Sequence, residues 1–466
     1  MAGTPVGSDV IRGERKAFVN TTIDSTTSGN ALAESGGTRP ARRDSSNTAF
    51  FWMSAFYLVY CIRPEDWLPA LAIIPLAKIT VIGAFLAFLF GGKSRRGLRD
   101  LPAESFYLLG MIAILMLSAV FSPVWRGGAV SRTLDFAKVY IVFVLTFLLL
   151  TDLAKFRRIL FIQAASVPAI CVLSLIKGHG RPRLEGVLGG IYDNPNDLAF
   201  AIVLSIPFCL MFLLRARGFF RKLLWTGGML VMVAALFKTA SRGGFITLIV
   251  AGSVLLWHFG VKGKRLYLVV GAALVVLFFF GLAGTTMRER LSSFWDSDQD
   301  TEQGAIARAS YDERWFLVRK AVEGMEHYPV LGIGVGNFEV YSTVWHEVHI
   351  AYLEIGVEGG VFAMVLYFMF FARGFGNLRQ LAKRKDLPSE LILFRGALHS
   401  SLVGFVVGAL FSPEAYQFFP YFAVAYTSAL LAYVRESEQT ALPVPANRPM
   451  VPVNAYMRPS RVLLNS

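Results

Sequence analysis

The sequence predicts an all-α polytopic membrane protein of about twelve transmembrane helices and one long outer loop. Three observations carry this reading. The 466-residue chain is 55% hydrophobic and only 17% charged, against roughly 45–50% and about 25% in soluble globular chains. Its apolar residues come in blocks of roughly 15–25, the length that crosses a bilayer as a helix. Lys and Arg gather in alternate connecting loops, the asymmetry that orients membrane helices.

Taken in order, residues 1–48 are rich in Ser, Thr and Gly and contain no central apolar region of a signal peptide, so they read as a disordered cytoplasmic tail. Twelve candidate spans follow, near 49–62, 70–90, 104–121, 133–151, 157–176, 197–214, 223–238, 243–260, 266–283, 349–371, 391–411 and 416–434. They define a membrane domain over 49–434, and residues 435–466 form a second tail expected to be disordered and cytoplasmic. With the N-terminus in the cytoplasm, the short inner loops carry 19 Lys or Arg and the short outer loops 8. Both termini are then cytoplasmic, and the membrane is expected to be a bacterial inner membrane. Residues 284–348 form an outer, periplasmic loop with two amphipathic stretches, around 308–327 and 336–346. In a chain of short connections, a loop of this length is more often functional than incidental.

The formal net charge of +14 fits basic loops held against anionic lipid rather than a nucleic-acid partner. Cys61, Cys171 and Cys209 all fall in apolar segments and read as small buried hydrophobes.

Unusual residues concentrate in three outer segments. "KGHGRPRLEGVLGGIYDNPND" (177–197) places Lys177, His179, Arg181 and Arg183 near Asn194 and Asn196. "SRGG" (241–244) holds Arg242 between two spans. The long loop carries "YDERW" (311–315), "PVLGIGVGNF" (329–338) and "WHEVHIAYLEIGVEGG" (345–360). An arginine in lipid is costly unless something anionic or wet meets it. Its planar fork suits paired phosphate oxygens, so Arg183, Arg242 and Arg314 on one side of the membrane would make a site for a diphosphate. The alternative is that each snorkels to lipid headgroups. His349 opens the tenth span. In a helix it would share one face with Tyr352, Leu353 and Gly356, where a neutral imidazole could take a proton from a hydroxyl or merely bond a backbone carbonyl. His346, one turn earlier, is a second candidate for the role. Glu354 and Glu358 are intramembrane carboxylates, open to either a functional or a helix-tying role.

Several motifs fail on spacing. "HEVH" (346–349) lacks the two-residue gap of a zinc-binding HExxH, so no metal ligand is assigned. "DSDQDTE" (296–302) starts like a calcium loop, but Thr301 and Ala307 hold the Gly and bidentate Glu positions. "GIGVGNF" (332–338) lacks the Lys-Ser/Thr of a phosphate-binding P-loop. No cofactor is implied.

Read together, these segments resemble the O-antigen ligase family of membrane glycosyltransferases, which also includes polymerases. The resemblance rests on Arg183 and Gly186 before "NPNDLAF" (194–200), the "SRG" turn (241–243), Arg314 and Trp315 opening a loop helix, Pro329 to Phe338, and His349 to Gly360. Ile350 stands where the family pattern has Asn, which leaves orientation of His349 to another group such as Glu347. The resemblance implies transfer of a glycan from undecaprenyl diphosphate in the outer leaflet to a hydroxyl of a glycan, lipid or protein acceptor. It implies Arg242 and Arg314 on the diphosphate, His349 as base or acceptor-orienting group, and Arg183, Arg181, Lys177, Asn194, Asn196, His346 and Glu354 as substrate contacts. An O-antigen or exopolysaccharide polymerase of the same family would use the same donor and site. A solute transporter is the rival of another class, although no internal repeat of the transporter kind is evident.

Overall fold

The computed structural model describes residues 45–91, 95–178, 183–186, 192, 194–282, 302–344, 346–384 and 386–441. His179, Arg181, most of "DSDQDTE" and the greater part of both expected tails lie outside the described residues. Helix is the regular structure throughout, with no strand among the described residues.

Each of the twelve apolar stretches falls on a helix. The helices are α1 (Ser45–Ile62), the short α2 (Pro64–Trp67), α3 (Leu76–Phe90), α4 (Ala103–Val120), α5 (Arg126–Leu149), α6 (Leu153–Lys177), α7 (Pro195–Arg215) and α8 (Phe219–Thr239). They continue with α9 (Arg242–Leu256), α10 (Leu266–Leu282), α11 (Glu302–His327), the single-turn α12 (Phe338–Ser342), α13 (Ala351–Ala382), α14 (Ser389–Gly408) and α15 (Phe418–Ala441). By length and composition α4, α6, α7, α8, α13, α14 and α9 with its π-helical extension to Val261 can each cross a membrane. Asn47–Ile62, Leu76–Phe90 and Leu266–Phe278 are shorter apolar helices. The chain is thus an all-α, multi-pass membrane protein.

Local chemistry sets the boundaries. The backbone makes a 3₁₀ turn over Pro69–Leu71 and Pro75 stands at the N-cap, so α3 starts at Leu76 rather than near 70. Asp152, Asn194 and Ser241 each accept a backbone N–H of the first turn of α6, α7 and α9, satisfying donors that a helix start leaves bare. Two ends differ from expectation: α5 begins at Arg126, which puts Arg132 on a helix, and α15 continues past residue 434 to Ala441.

Packing is a bundle in which α13 runs along α4 and α15, α14 along α7 and α9, and α1 along α3 and α6. Its core is aromatic, with Phe143, Phe156, Phe208, Phe370, Phe394 and Tyr421 fully enclosed. Outward side chains such as Phe51, Ile82, Phe106 and Leu117 are large and bare, as a lipid-facing surface allows.

The two ends of the bundle are chemically distinct. At one, the buried Arg96 guanidinium donates to the carbonyls of Phe147 and Leu150, each at 2.9 Å, and to Glu436 at 2.6 Å. It thereby caps the C-terminus of α5 and ties it to α15. Nearby at this end Arg157 and Arg215 converge on Glu390. The other end holds the segments singled out by their sequence.

Candidate functional site

The glycine-rich segment 329–337 lies across α13, and three positive φ angles let it do so. Gly332, Gly334 and Gly336 have φ of +70°, +95° and +69°. A Cβ on Gly336 would sit 2.0 Å from Arg132 Nη1, and one on Gly332 2.5 Å from the backbone of Glu358. The bare backbone can therefore donate from Ile333 and Gly334 to the Val357 and Glu358 carbonyls, each at 2.9 Å. Those carbonyls precede Gly360, where α13 breaks with φ +72° and ψ −177° and its Val361 N–H turns to Pro329. Ser118, Ser122 and Asn337 close the remaining bonds between α4, the loop and α13.

A small satellite core then positions His349. Leu317 and Ala321 on α11, Ile333 and Phe338 of the loop, and Val348 and Val357 bury one another, with Ile350 packed alongside. Arg314, Leu317 and Ala321 are spaced i, i+3, i+7 and so share one helix face. The neighbours of His349, Val348 and Ile350, anchor the segment in the core and leave the imidazole beside Arg314. Burial first, and then the Arg314 cation with a smaller push from His346, depress the His349 pKa from 6.5 to about 4, against the opposing pull of Glu313. The imidazole is neutral at neutral pH. His349 precedes α13 rather than lying in it: Ile350, extended at φ −136° and ψ 107°, is the N-cap and makes no side-chain cap bond. The expected helical face with Tyr352 and Gly356 therefore does not include it. His346 lies on the same irregular segment, exposed, 3.4 Å from Glu313.

A second cluster forms at the α8–α9 turn. Arg183 donates to the Thr239 carbonyl at 3.0 Å and to Asn196 Oδ1 at 3.4 Å, and the same oxygen accepts from Ser241 Oγ at 2.8 Å. Asn194 caps α7 through the Asn196 N–H. Arg242 is the first residue of α9, beginning that helix rather than ending α8, where the helix N-terminus favours an anion. A Cβ on Gly243 would meet Phe411, and the Ala351 N–H bonds the Ala409 carbonyl at 2.9 Å. Residues 409–411 thus bridge the Arg242 turn and the segment of His349. Lys177 stands apart, with its ammonium directed to the Trp67 carbonyl.

Beside these clusters open two adjoining cavities, of about 430 and 270 Å³, that share Glu347, Glu354, Tyr416 and Phe418 as walls. Of the residues singled out in the sequence, Glu347 and Glu354 line both and Glu358 the larger. Glu354 accepts the Ala415 N–H at 3.2 Å, and Glu358 accepts the Phe338 N–H at 3.3 Å and the Gly336 N–H. Sequence reasoning missed Arg132, Asp197, Glu414 and Tyr416 in this region. Glu414 alone carried a signal, a carboxylate in a short connection between two spans. Burial and the nearby Asp197 push it well above the carboxylate range. No group of three or more His, Cys, Asp or Glu among the described residues converges as metal ligands do.

Residues 227–368 match the family described as O-Antigen ligase. The matched stretch runs from within α8 to within α13 and includes Arg242, Arg314, His346, His349 and Glu354. No curated protein matches the chain.

Proposed function

We propose, from the match of residues 227–368 to the O-antigen ligase family, that this is a membrane glycosyltransferase of the ligase and polymerase kind and that it transfers a glycan from undecaprenyl diphosphate to an acceptor hydroxyl at the His349 end of the bundle. That end faces the periplasm in this reading, in keeping with its poorer share of Lys and Arg. What supports the proposal is the family match over the stretch that holds Arg242, Arg314 and His349, with the Arg314 cation near enough to the partly buried His349 imidazole to depress it.

The acceptor oxygen attacks the anomeric carbon, the carbon–oxygen bond to the diphosphate breaks, and the lipid diphosphate departs with the electron pair. Arg314 and Arg242 hold the growing charge, as preorganised donors do, and Arg183 braces the Arg242 turn through Asn196. The acceptor proton passes to His349. With a pKa of about 4 the free imidazole is a weak base. A bound diphosphate beside Arg314 offsets the cation that depresses it, so the donor itself raises the basicity of His349. The released proton then leaves with the lipid diphosphate or to water.

The test is transfer from a labelled lipid-linked donor by purified variants. Arg242→Ala, Arg314→Ala and His349→Ala are each expected to lose on the order of 10²–10³ in rate while inserting normally. Near-normal transfer by all three removes the assignment. A ladder of products identifies a polymerase and one capped product a ligase.

A further inference from the structure

A third cluster lies at the opposite end of the bundle, where α9 meets α14, remote from the groups of the transfer reaction. The last turn of α9 is a π-helix over Trp257–Val261, closed by the Lys262 N–H on the Trp257 carbonyl at 2.9 Å. Such turns are rare and concentrate at functional sites. Here the wide turn aims two successive residues at α14. The Phe259 ring packs so closely on Gly396 that a Cβ there would lie 2.6 Å from it. His258 Nε2 and His399 Nδ1 share a hydrogen bond of 2.8 Å. Whichever neutral ring donates in that bond, the accepting ring keeps its proton on the far nitrogen, so the pair always has an N–H for a further acceptor.

The charged side chains beside the pair are both cations: Arg395, one turn before His399 on α14, and Lys262, just past the π turn. No carboxylate acts on Arg395 or on either imidazole. The neighbouring α10 holds no ionisable residue but Tyr267, and α13 contributes the Phe375 ring, edge-on to His399. Arg395 Nε is buried and makes no protein hydrogen bond, a costly state for a donor. An arginine that merely snorkelled would keep that nitrogen in water. Lys262 Nζ stands 5.5 Å over the Trp257 ring, and Trp257, Leu266 and Tyr267 are exposed, as rings are where bilayer meets water. We propose that Lys262, Arg395 and the His258–His399 pair bind the phosphodiester of an anionic phospholipid. The guanidinium suits paired phosphate oxygens and the ammonium adds a point charge, and basic pockets between membrane helices take such headgroups. A free phosphate has the same oxygens but no acyl chains to lie on the apolar rim. In the orientation read from the basic loops this leaflet is cytoplasmic. The lipid fastens α9 to α14 at the ends opposite the Arg242 turn and residues 409–411.

The test uses the full chain, purified in detergent and stripped of lipid. The probes are dioleoylphosphatidylglycerol and dioleoylphosphatidylcholine, which share acyl chains and differ in charge, and binding is read by native mass spectrometry. The first phosphatidylglycerol is expected to bind at least about tenfold more tightly than phosphatidylcholine, the scale that two cations near a membrane surface supply. Lys262→Gln, a change at an exposed side chain, loses part of that preference, and Lys262→Gln with Arg395→Gln brings the two lipids within about twofold. Arg221→Gln, which removes an exposed cation near the start of α8, leaves the preference as it was. Equal binding of the two lipids by the unaltered protein, a comparison that needs no variant to fold, overturns the proposal. So does a preference undiminished by Lys262→Gln, or one that Arg221→Gln diminishes equally, which would reduce the site to the general basicity of this end. Displacement of the lipid by millimolar inorganic phosphate assigns the cluster to a soluble anion and overturns the lipid.

Discussion

Replacing Gly360 with alanine tests how the site is assembled. Its φ of +72° and ψ of −177° belong to a backbone region that is essentially reserved for glycine, and forcing another residue there costs about 1–3 kcal/mol. The added Cβ would also lie 2.2 Å from the Val330 carbonyl oxygen and 2.5 Å from its carbon. These are backbone atoms, so the loop must move as a body. Moving it breaks the bonds from Ile333, Gly334 and Val361, all at 2.9 Å, each with a net value of about 0.5–1.5 kcal/mol. The sum is roughly 2.5–7.5 kcal/mol. Gly376 on the same helix is the control, because a Cβ there meets nothing within 4 Å; Gly376→Ala is expected to be neutral or stabilising by up to about 1 kcal/mol. The assay is the fraction of detergent-purified protein that remains monodisperse after heating, read with the transfer rate. A Gly360→Ala protein that survives heating as well as Gly376→Ala would refute the docking of loop on helix described above.

Other expectations concern the charged groups. His349 is depressed to about 4, so it must lose its proton to act, and kcat/KM should rise with pH through an acid limb near pH 4. The limb on kcat should lie higher, because bound diphosphate offsets Arg314; coincident limbs contradict that coupling. Arg314→Gln should shift a nuclear magnetic resonance titration of His349 upward by part of the interval to 6.5, since burial is the larger cause and persists; no shift separates the two residues. The same depression makes the folded state bind fewer protons than the unfolded chain below pH 6.5, so stability from this group declines as pH falls, which thermal unfolding at pH 7 and 5 would detect as a loss that His349→Gln diminishes. Ser241→Ala removes the cap of α9 and one bond to Asn196; it should cost about 0.5–2 kcal/mol and raise the KM for donor, and an unchanged KM would detach the turn from donor binding.

Much of the fold was legible because membrane helices announce themselves by length and apolarity. Each apolar stretch became a helix, and the SRG turn and the Asn194 start were readable from residues whose side chains cap helices. The shift at α3 follows from prolines within the stretch, whereas the early start of α5 buries the small residues Gly128 and Ala129. His349 was found by its residue type but misplaced by a helical pattern that begins only after Ile350, where the family's Asn would have capped the helix. The two cavities were legible in Glu347, Glu354 and Glu358. Arg132 of α5, Asp197 of α7 and Tyr416 of the α14–α15 connection are far apart in the chain, and only tertiary packing brings their side chains to the two cavities.

The break at Gly360 has a consequence for how this architecture diversifies. The short upper part of α13, with its two carboxylates, takes its bearing from the glycine segment lying on it, while the long lower part takes its bearing from α4 and α15. Altering the segment's length or residues would re-aim the upper carboxylates with the membrane frame left as it stands. The geometry of the site can therefore change independently of the scaffold, through residues 329–338 alone.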